Sequence, residues 1–211
     1  MANKPTLYGF DGSTYVRTVR MVLADNDADY DQVPVNVLEG EPRQPEHLAR
    51  HPFGKVPVLD IDGMRLLETD AICRYVDETM PGPSLVPETA RDRARMTEAI
   101  NLVNSYGYDA LVGCAGYHLF PAFLGHPDEA AHERMLANGE TFLNLVMEKK
   151  GADPWLAGAD PSLADYFLAP IWFYVSLTPD AERLGKAPGL AAWWEAAQQI
   201  PCFKATEPDL G

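Results

Sequence analysis

Two rhythms divide the chain. Up to about residue 80, short apolar runs alternate with turn residues; beyond it, apolar positions recur at helical spacing. Thr6-Leu-Tyr-Gly-Phe10 is a short apolar run fit for a buried strand, and the turn residues Asp11-Gly12-Ser13 follow it. Val16, Val19, Val22 and Leu23 repeat at helical spacing to about Asn26. Val33, Val35 and Val37 alternate and predict a second strand. Pro34 places it at a sheet edge, because proline has no N–H to give to a ladder. Strand, helix and strand in this order make a βαβ unit. After a loop from Glu39 to Glu46, two strands are expected at Val56–Asp60 and Met64–Leu67. Asp62-Gly63 joins them and is a strong hairpin turn signal. A helix from about Thr69 to Thr79 then carries Ile72, Tyr75 and Val76 on one face.

Met80-Pro-Gly-Pro-Ser-Leu-Val-Pro87 breaks this pattern and reads as a linker. A long helix is expected from Thr89 to about Leu119, stopped by Pro121. Another spans roughly Pro127 to Lys150, a third starts after Ser162, and a last one holds Leu190, Trp193, Trp194 and Ala197. The expected organisation is an α/β domain over 1–80, a linker over 81–88 and an all-helical domain over 89–211.

Composition narrows the function. The 211 residues hold 46% hydrophobic and 23% charged positions, enough apolar surface for a folded core. With 17 Lys+Arg against 31 Asp+Glu, the net charge is −14. Neutralising a phosphate backbone needs clustered cations, so no nucleic-acid partner is expected; a small local basic pocket stays open. The longest nearly apolar stretch, Tyr166 to Val175, is too short to span a bilayer and contains Pro170. Met1-Ala-Asn-Lys-Pro5 lacks the apolar core of a secretory leader. Cys73, Cys114 and Cys202 are sparse and form no Cys-x-x-Cys pair, which fits a reducing, cytoplasmic setting. Neither a zinc-type spacing nor a Walker-type glycine loop occurs, so no metal is expected.

Three short motifs carry candidate chemistry. In His51-Pro-Phe-Gly-Lys-Val-Pro-Val-Leu59, Pro57 opens a strand and its peptide bond is either cis or trans. A cis bond would leave the Val56 backbone groups free for a peptide ligand. Glu68-Thr69-Asp70 stands where a strand ends and a helix begins. Thr69 there is either a plain N-cap or part of a carboxylate site, since the orphan N–H groups attract an anion. Ser13-Thr14 opens the first helix. Its hydroxyl either caps the helix or donates to a thiolate, with the helix N-terminus lowering that thiol's pKa.

Taken in order, these motifs resemble the glutathione S-transferase superfamily. The resemblance lies in a serine before the first helix, Gly54-Lys-Val-Pro57, and Glu68-Thr-Asp-Ala-Ile-Cys-Arg-Tyr75. Gly40-Glu-Pro-Arg-Gln-Pro-Glu-His-Leu48 followed by His51-Pro-Phe-Gly54 is similar to the phi/theta-like and related bacterial classes. Gly158-Ala-Asp-Pro-Ser-Leu-Ala-Asp-Tyr166 resembles the family's helix-start motif, and Ser162 and Asp165 have capping-box spacing. Pro188-Gly-Leu-Ala-Ala-Trp-Trp194 and Ile200-Pro-Cys202 are similar to its last helix and exit.

The resemblance implies a thioredoxin-like N-terminal domain that binds glutathione and an all-α C-terminal domain. It implies Ser13 as the catalytic hydroxyl that holds the glutathione sulfur as thiolate, with Thr14 as fallback. Val56 would pair through its backbone with the cysteinyl part, and Glu68 and Thr69 would hold the γ-glutamyl end. Arg43 would face the glycine carboxylate and Lys55 would contact the ligand, or each stands as a plain surface cation. Pro42 replaces a histidine common in the family, which removes one donor. Arg17 is expected in an ion pair with Glu68 or Asp70, Tyr8 in core packing, and Cys73 as an inert thiol. For the second substrate, Phe10, Tyr106 and Tyr117 are candidates. Tyr106, Ala110, Gly113 and Tyr117 share one helical face and line either a pocket or an inter-helix core. The implied function is a detoxifying glutathione transferase, a homodimer acting on small hydrophobic electrophiles. A non-catalytic glutathione-binding module, or a glutathione-dependent isomerase, dehalogenase or peroxidase, is the alternative on the same fold.

Overall fold

The computed structural model describes residues 4–209. Residues 1–3 and 210–211 lie outside the described residues; they include part of the Met1–Pro5 segment and the outer ends of both expected domains. The chain clusters into two compact units, one running to Ser84 and resuming at Ile200, the other spanning Leu85–Gln199.

The first unit is built on four short strands: β1 (Thr6–Tyr8), β2 (Asp31–Val33), β3 (Val58–Ile61) and β4 (Met64–Leu66). They form one sheet in the order β2-β1-β3-β4, with β2 parallel to β1 and both later pairings antiparallel. Helix α1 (Thr14–Asp25) supplies the crossover, and α3 (Thr69–Thr79) follows the hairpin. Between β2 and β3 lie a 3-10 turn at Glu41–Arg43 and the single-turn helix α2 (Pro45–Leu48). This is the mixed thioredoxin-like sheet that the sequence implies. The hairpin turn carries φ of 50° at Asp62 and 76° at Gly63, the double left-handed geometry that such a sequence favours. Leu7, Val58 and Leu59 from the sheet and Val16, Val19, Met21, Val22, Leu23, Ile72 and Val76 from α1 and α3 are fully buried and form the core.

Two expectations change. The second strand ends at Val33, where alternation over 33–37 predicts a longer one. Pro34 offers no donor to continue the ladder, and Asn36 instead donates its N–H to the Glu41 carboxylate at 2.6 Å. Of the three alternating valines only Val35 is buried, and Val33 is 39% exposed, so the alternation here marks neither a longer strand nor a shared buried face. β2 is nonetheless an edge strand, as Pro34 requires.

The second change concerns Arg17, which makes no ion pair with Asp70; Asp70 is held by Arg74 at 2.9 and 3.0 Å. Arg17 is fully buried and reaches the last helix, α10 (Pro201–Ala205), instead. Its Nη2 donates to the Phe203 carbonyl at 2.9 Å, and its guanidinium sits 4.0 Å from the centroid of the Phe203 ring. Arg20 adds a longer bond to the Thr206 carbonyl. The tail from Ile200 onward, grouped with the helical part by the sequence pattern, therefore packs on α1 of the first unit. A charge-assisted hydrogen bond and a desolvated cation–π contact are lost together in Arg17→Met. That variant is expected to lower unfolding stability by about 1.5–3 kcal/mol in urea titrations and to expose the tail to carboxypeptidase.

The second unit is helical. Helix α4 (Ala90–Leu102) runs through a π-helical turn at Val103–Gly107 into α5 (Tyr108–Leu119), so the expected long helix forms with one wide turn in it. The Phe142 ring occupies the space where a Cβ on Gly107 would project, and only glycine permits that approach. Then come α6 (Glu129–Lys150), α7 (Leu163–Ser176), α8 (Ala181–Leu184) and α9 (Leu190–Ala197). α7 is buried on every face from Leu163 to Val175, which marks it as the central helix of this unit. Ser162 and Asp165 form the expected capping box at its start. No helix among the described residues is long and apolar enough to cross a membrane.

Candidate functional site

Strand register gathers the candidate residues. Tyr8 faces Val33 on one side and Val58 on the other, and Leu59 faces Leu66. The ends of β1, β2 and β4 and the start of β3 therefore share one end of the sheet. Ser13 follows β1, Arg43 follows β2, Val56 precedes β3, and Glu68 and Thr69 follow β4. Four separate stretches of sequence thus lead from that end of the sheet.

Ser13 is the N-cap of α1, with an extended backbone (φ −79°, ψ 127°). Its Oγ accepts from the Val16 N–H at 3.5 Å, the outer limit for such a bond. The hydroxyl is thus half-exposed, loosely held and set beside the positive end of α1. The loop before it is anchored: Gln32 donates to the Gly9 carbonyl at 3.0 Å and to the Asp11 carboxylate at 2.7 Å. Arg20 pairs with the same Asp11 at 3.3 Å. Thr14, by contrast, is buried. Tyr8 points elsewhere. Its hydroxyl donates to Asp60 at 3.2 Å, and Arg50 lies 4.5 Å over its ring. Asp60 pairs with Thr6, two residues back along β1 from the loop end of the sheet. Leu7, not Tyr8, is the core residue of this strand; Tyr8 is half-buried.

The loop before β3 is built to present backbone. The Val56–Pro57 bond is cis, and Val56 lies outside the ladder, which begins at Val58. His47 and His51, four residues apart, both serve this loop. His47 Nε2 meets the Lys55 carbonyl at 2.8 Å, and the Phe53 N–H donates to His51 Nδ1 at 3.3 Å. Gly54 has φ 58°, and the Arg43 stem crosses it where a side chain would stand. Arg43 therefore lies beside Lys55, and both cations are exposed. Burial lowers the His51 pKa; the field of Glu68 opposes that shift, and the fields of His47 and Lys55 add to it.

Glu68 carries the strongest local signal. Its φ is 68° with ψ 119°, a region that non-glycine residues avoid at roughly 1–3 kcal/mol. No side chain caps α3, so its first N–H groups are left for another acceptor. Glu68 is exposed in front of them and Thr69 is buried behind it. A carboxylate acceptor for an amine, a hydroxyl and free N–H groups together suit an α-amino acid end. Cys73, one turn on, is fully buried, and burial pushes its thiol pKa well up, so it is inert.

The second-substrate candidates separate. Phe10 is half-buried and folds its ring over Gly12. Tyr106 is 67% exposed, whereas Ala110 is 4% exposed. The π turn adds a residue to the helix there, so the spacing that aligned Tyr106 with Tyr117 no longer does. Tyr117 lies flat against His132, with ring centroids 3.9 Å apart and planes 1° apart. Sequence spacing gave no sign of that stack, because His132 belongs to another helix.

Comparison with known proteins fits this geometry. The glutathione S-transferase N-terminal domain family matches residues 4–78, and the corresponding C-terminal domain family matches residues 112–196. A maleylacetoacetate isomerase of Pseudomonas aeruginosa is 33% identical over 218 residues, covering 96% of this chain and 95% of that protein. Glutathione S-transferase F13 of Arabidopsis thaliana is 29% identical over 208 residues, covering 97% and 95%. The solved structure of maize glutathione S-transferase I, in complex with an atrazine glutathione conjugate, superposes with a TM-score of 0.83 at 28% identity, covering 97% of each chain. With both family domains matched, near full-length relatives and the same fold, the chain belongs to the glutathione S-transferase superfamily.

Proposed function

We propose that this protein is a serine-type glutathione transferase that joins the glutathione thiolate to small hydrophobic electrophiles. What supports the reading is that β1, β2 and β4 stop, and β3 starts, at one end of the sheet, the end flanked by the segments that carry Ser13, Arg43, Val56, Glu68 and Thr69. Each part of glutathione finds chemistry to suit it there. Ser13 and the start of α1 stabilise the negative sulfur. The Val56 backbone pairs with the cysteinyl peptide unit. Glu68 takes the α-amino group, and Thr69 with the α3 N–H groups takes the α-carboxylate. Arg43 and Lys55 face the glycine carboxylate. Bound this way, the thiol is oriented and ionised before the electrophile arrives. The unit that runs to Ser84 acts as the glutathione-binding domain, and the helical unit Leu85–Gln199 selects the electrophile. We place the enzyme in the cytoplasm as a homodimer with a role in detoxification; Phe53, 72% exposed on the loop before β3, is the candidate partner contact.

The identity with a maleylacetoacetate isomerase supports a second reading, glutathione-dependent isomerisation. Asp11-Gly12-Ser13-Thr14 here lacks the Ser-Ser-Cys start of the zeta isomerases. A panel of aryl halides, isothiocyanates, organic peroxides and maleylacetoacetate analogues, run with glutathione, separates the readings. Turnover of aryl halides or isothiocyanates is expected. Rapid isomerisation alone would favour the second reading, and glutathione binding with no turnover would leave a non-catalytic module. Glu68→Ala is expected to raise the KM for glutathione about 10–100-fold with a smaller change in kcat, because a charge-assisted contact in the ground state is lost.

A further inference from the structure

A second cluster of reactive side chains lies wholly within the helical unit, outside the glutathione residues. Cys114 and His118 come from α5, His132 from α6, and Asp180 from the position before α8. Asp180 joins the two imidazoles: its Oδ1 lies 3.2 Å from His118 Nε2 and its Oδ2 lies 2.7 Å from His132 Nε2. A ligand atom of Cys114, one of His132 and one of Asp180 all fall within 4.8 Å of one another; His118 stands outside that group of three and adjoins it through Asp180.

We infer that Cys114, His118, His132 and Asp180 form a structural site for a zinc-like divalent cation. The donor set is two imidazoles, a carboxylate and a thiolate, the ligands of four-coordinate zinc. Bonds of about 2.0–2.3 Å set tetrahedral ligand atoms roughly 3.3–3.6 Å apart. The His118–Asp180 separation is already close to that, and His118 must turn toward Cys114 and His132 to complete the four. The His132–Asp180 pair needs to open by under about 1 Å, within reach of a side-chain rotation. Charge balances too, since carboxylate and thiolate together neutralise a dication.

The cage is also held in place. Tyr117 lies flat on His132 and edge-on to His118, with planes 88° apart in the second pair. Arg183, on α8 just after Asp180, is tied to Glu133 and Glu140 of α6 by four bonds of 2.8–3.0 Å. Burial argues against the rival reading of a Cys-His-Asp nucleophile. Cys114 is 0% exposed, so no substrate carbon reaches its sulfur. Its thiol pKa is pushed up to about 12, mainly by burial, so a bound cation must displace the proton. On binding, that proton and any on the coordinating imidazole nitrogens leave to solvent, and one metal–ligand bond forms at each of the four donors. With four protein ligands the site is closed, and its effect is to clip α5, α6 and the start of α8 together.

The test uses the full chain, treated with chelator, dialysed and titrated with Co²⁺ alone. Uptake of one equivalent is expected, with the intense visible bands of tetrahedral cobalt and a near-ultraviolet sulfur-to-cobalt band. Zn²⁺ should bleach both and raise Tm. Cys114→Ala should remove the sulfur band. His118→Gln, at a partly exposed position, should keep the far-ultraviolet circular dichroism of the parent and weaken binding at least about tenfold. His132→Gln should do the same. Three results would each overturn the proposal: no uptake at micromolar Co²⁺, weak octahedral bands without a sulfur band, or uptake that both histidine variants leave unchanged. Any of them would leave the cluster as a hydrogen-bonded bridge between helices.

Discussion

Ser13→Ala is expected to slow glutathione conjugation about 100–1000-fold, the loss seen when one donor to a developing anion is removed. The Ser13 hydroxyl has almost no other work. As a cap it makes one bond at 3.5 Å, so its loss should lower stability by under about 1 kcal/mol. Catalysis and folding therefore part company in this variant. The mechanism also fixes a signature that a structural defect would not give. A bound thiol without its donor reverts toward the free value of about 8.5, so the acid limb of the pH–rate profile moves up. At high pH, where the thiol ionises unaided, the variant should recover most of its rate. Thr14→Ala is the control, since Thr14 is buried and should tolerate the change without loss of turnover. If Ser13→Ala keeps full rate while Thr14→Ala abolishes it, the hydroxyl assignment moves to Thr14.

Asp165→Ala is expected to lower the unfolding free energy by about 3–5 kcal/mol, a large share of what a domain has. The fully buried carboxylate accepts four hydrogen bonds. Leu156 N–H donates at 3.0 Å, Ser162 N–H at 2.9 Å, Ser162 Oγ at 3.0 Å and Trp193 Nε1 at 2.8 Å. One group thereby ties the start of α7 to the 153–160 loop and to α9. Truncation orphans four buried donors at once. Burial raises the Asp165 carboxyl above its ordinary value, against the pull of those four donors. A raised carboxyl binds its proton more readily in the folded state. Its contribution to stability therefore declines as pH rises through that interval and does not decline in acid. Urea titration of Asp165→Ala and Asp165→Asn should show the asparagine losing less, since it keeps one acceptor oxygen. Equal stability of parent and alanine variant would refute the hub.

The elements that carry the proposed glutathione residues are legible in the sequence because their cues are local. Ser13 precedes a periodic helix, Val56-Pro57 opens a strand, and Glu68-Thr69 sits at a strand-to-helix turn; the sheet then needs only the usual register to gather them. What escapes the sequence depends on distant partners. The acceptor for Arg17 lies 186 residues away, so nearby acids were its natural expected partners. Tyr106 leaves its predicted face because Phe142, on another helix, is accommodated at Gly107 where the helix widens. Alternation beyond Val33 marks no further strand, because Pro34 settles the pairing and of these valines only Val35 is buried. Cys114, His118, His132 and Asp180 meet only once α5, α6 and α8 are packed, and no spacing within one helix could announce that.

The contact between Arg17 and Phe203 also sets an order of events during synthesis. The second unit is, in sequence, an insertion within the first, whose last element is α10. A nascent chain that has emerged only as far as Ser84 carries Arg17 without its carbonyl and without the ring that covers it. The first unit can collapse at that stage but cannot finish. Its final contact must wait for the tail to leave the ribosome, after the helical unit has had time to fold.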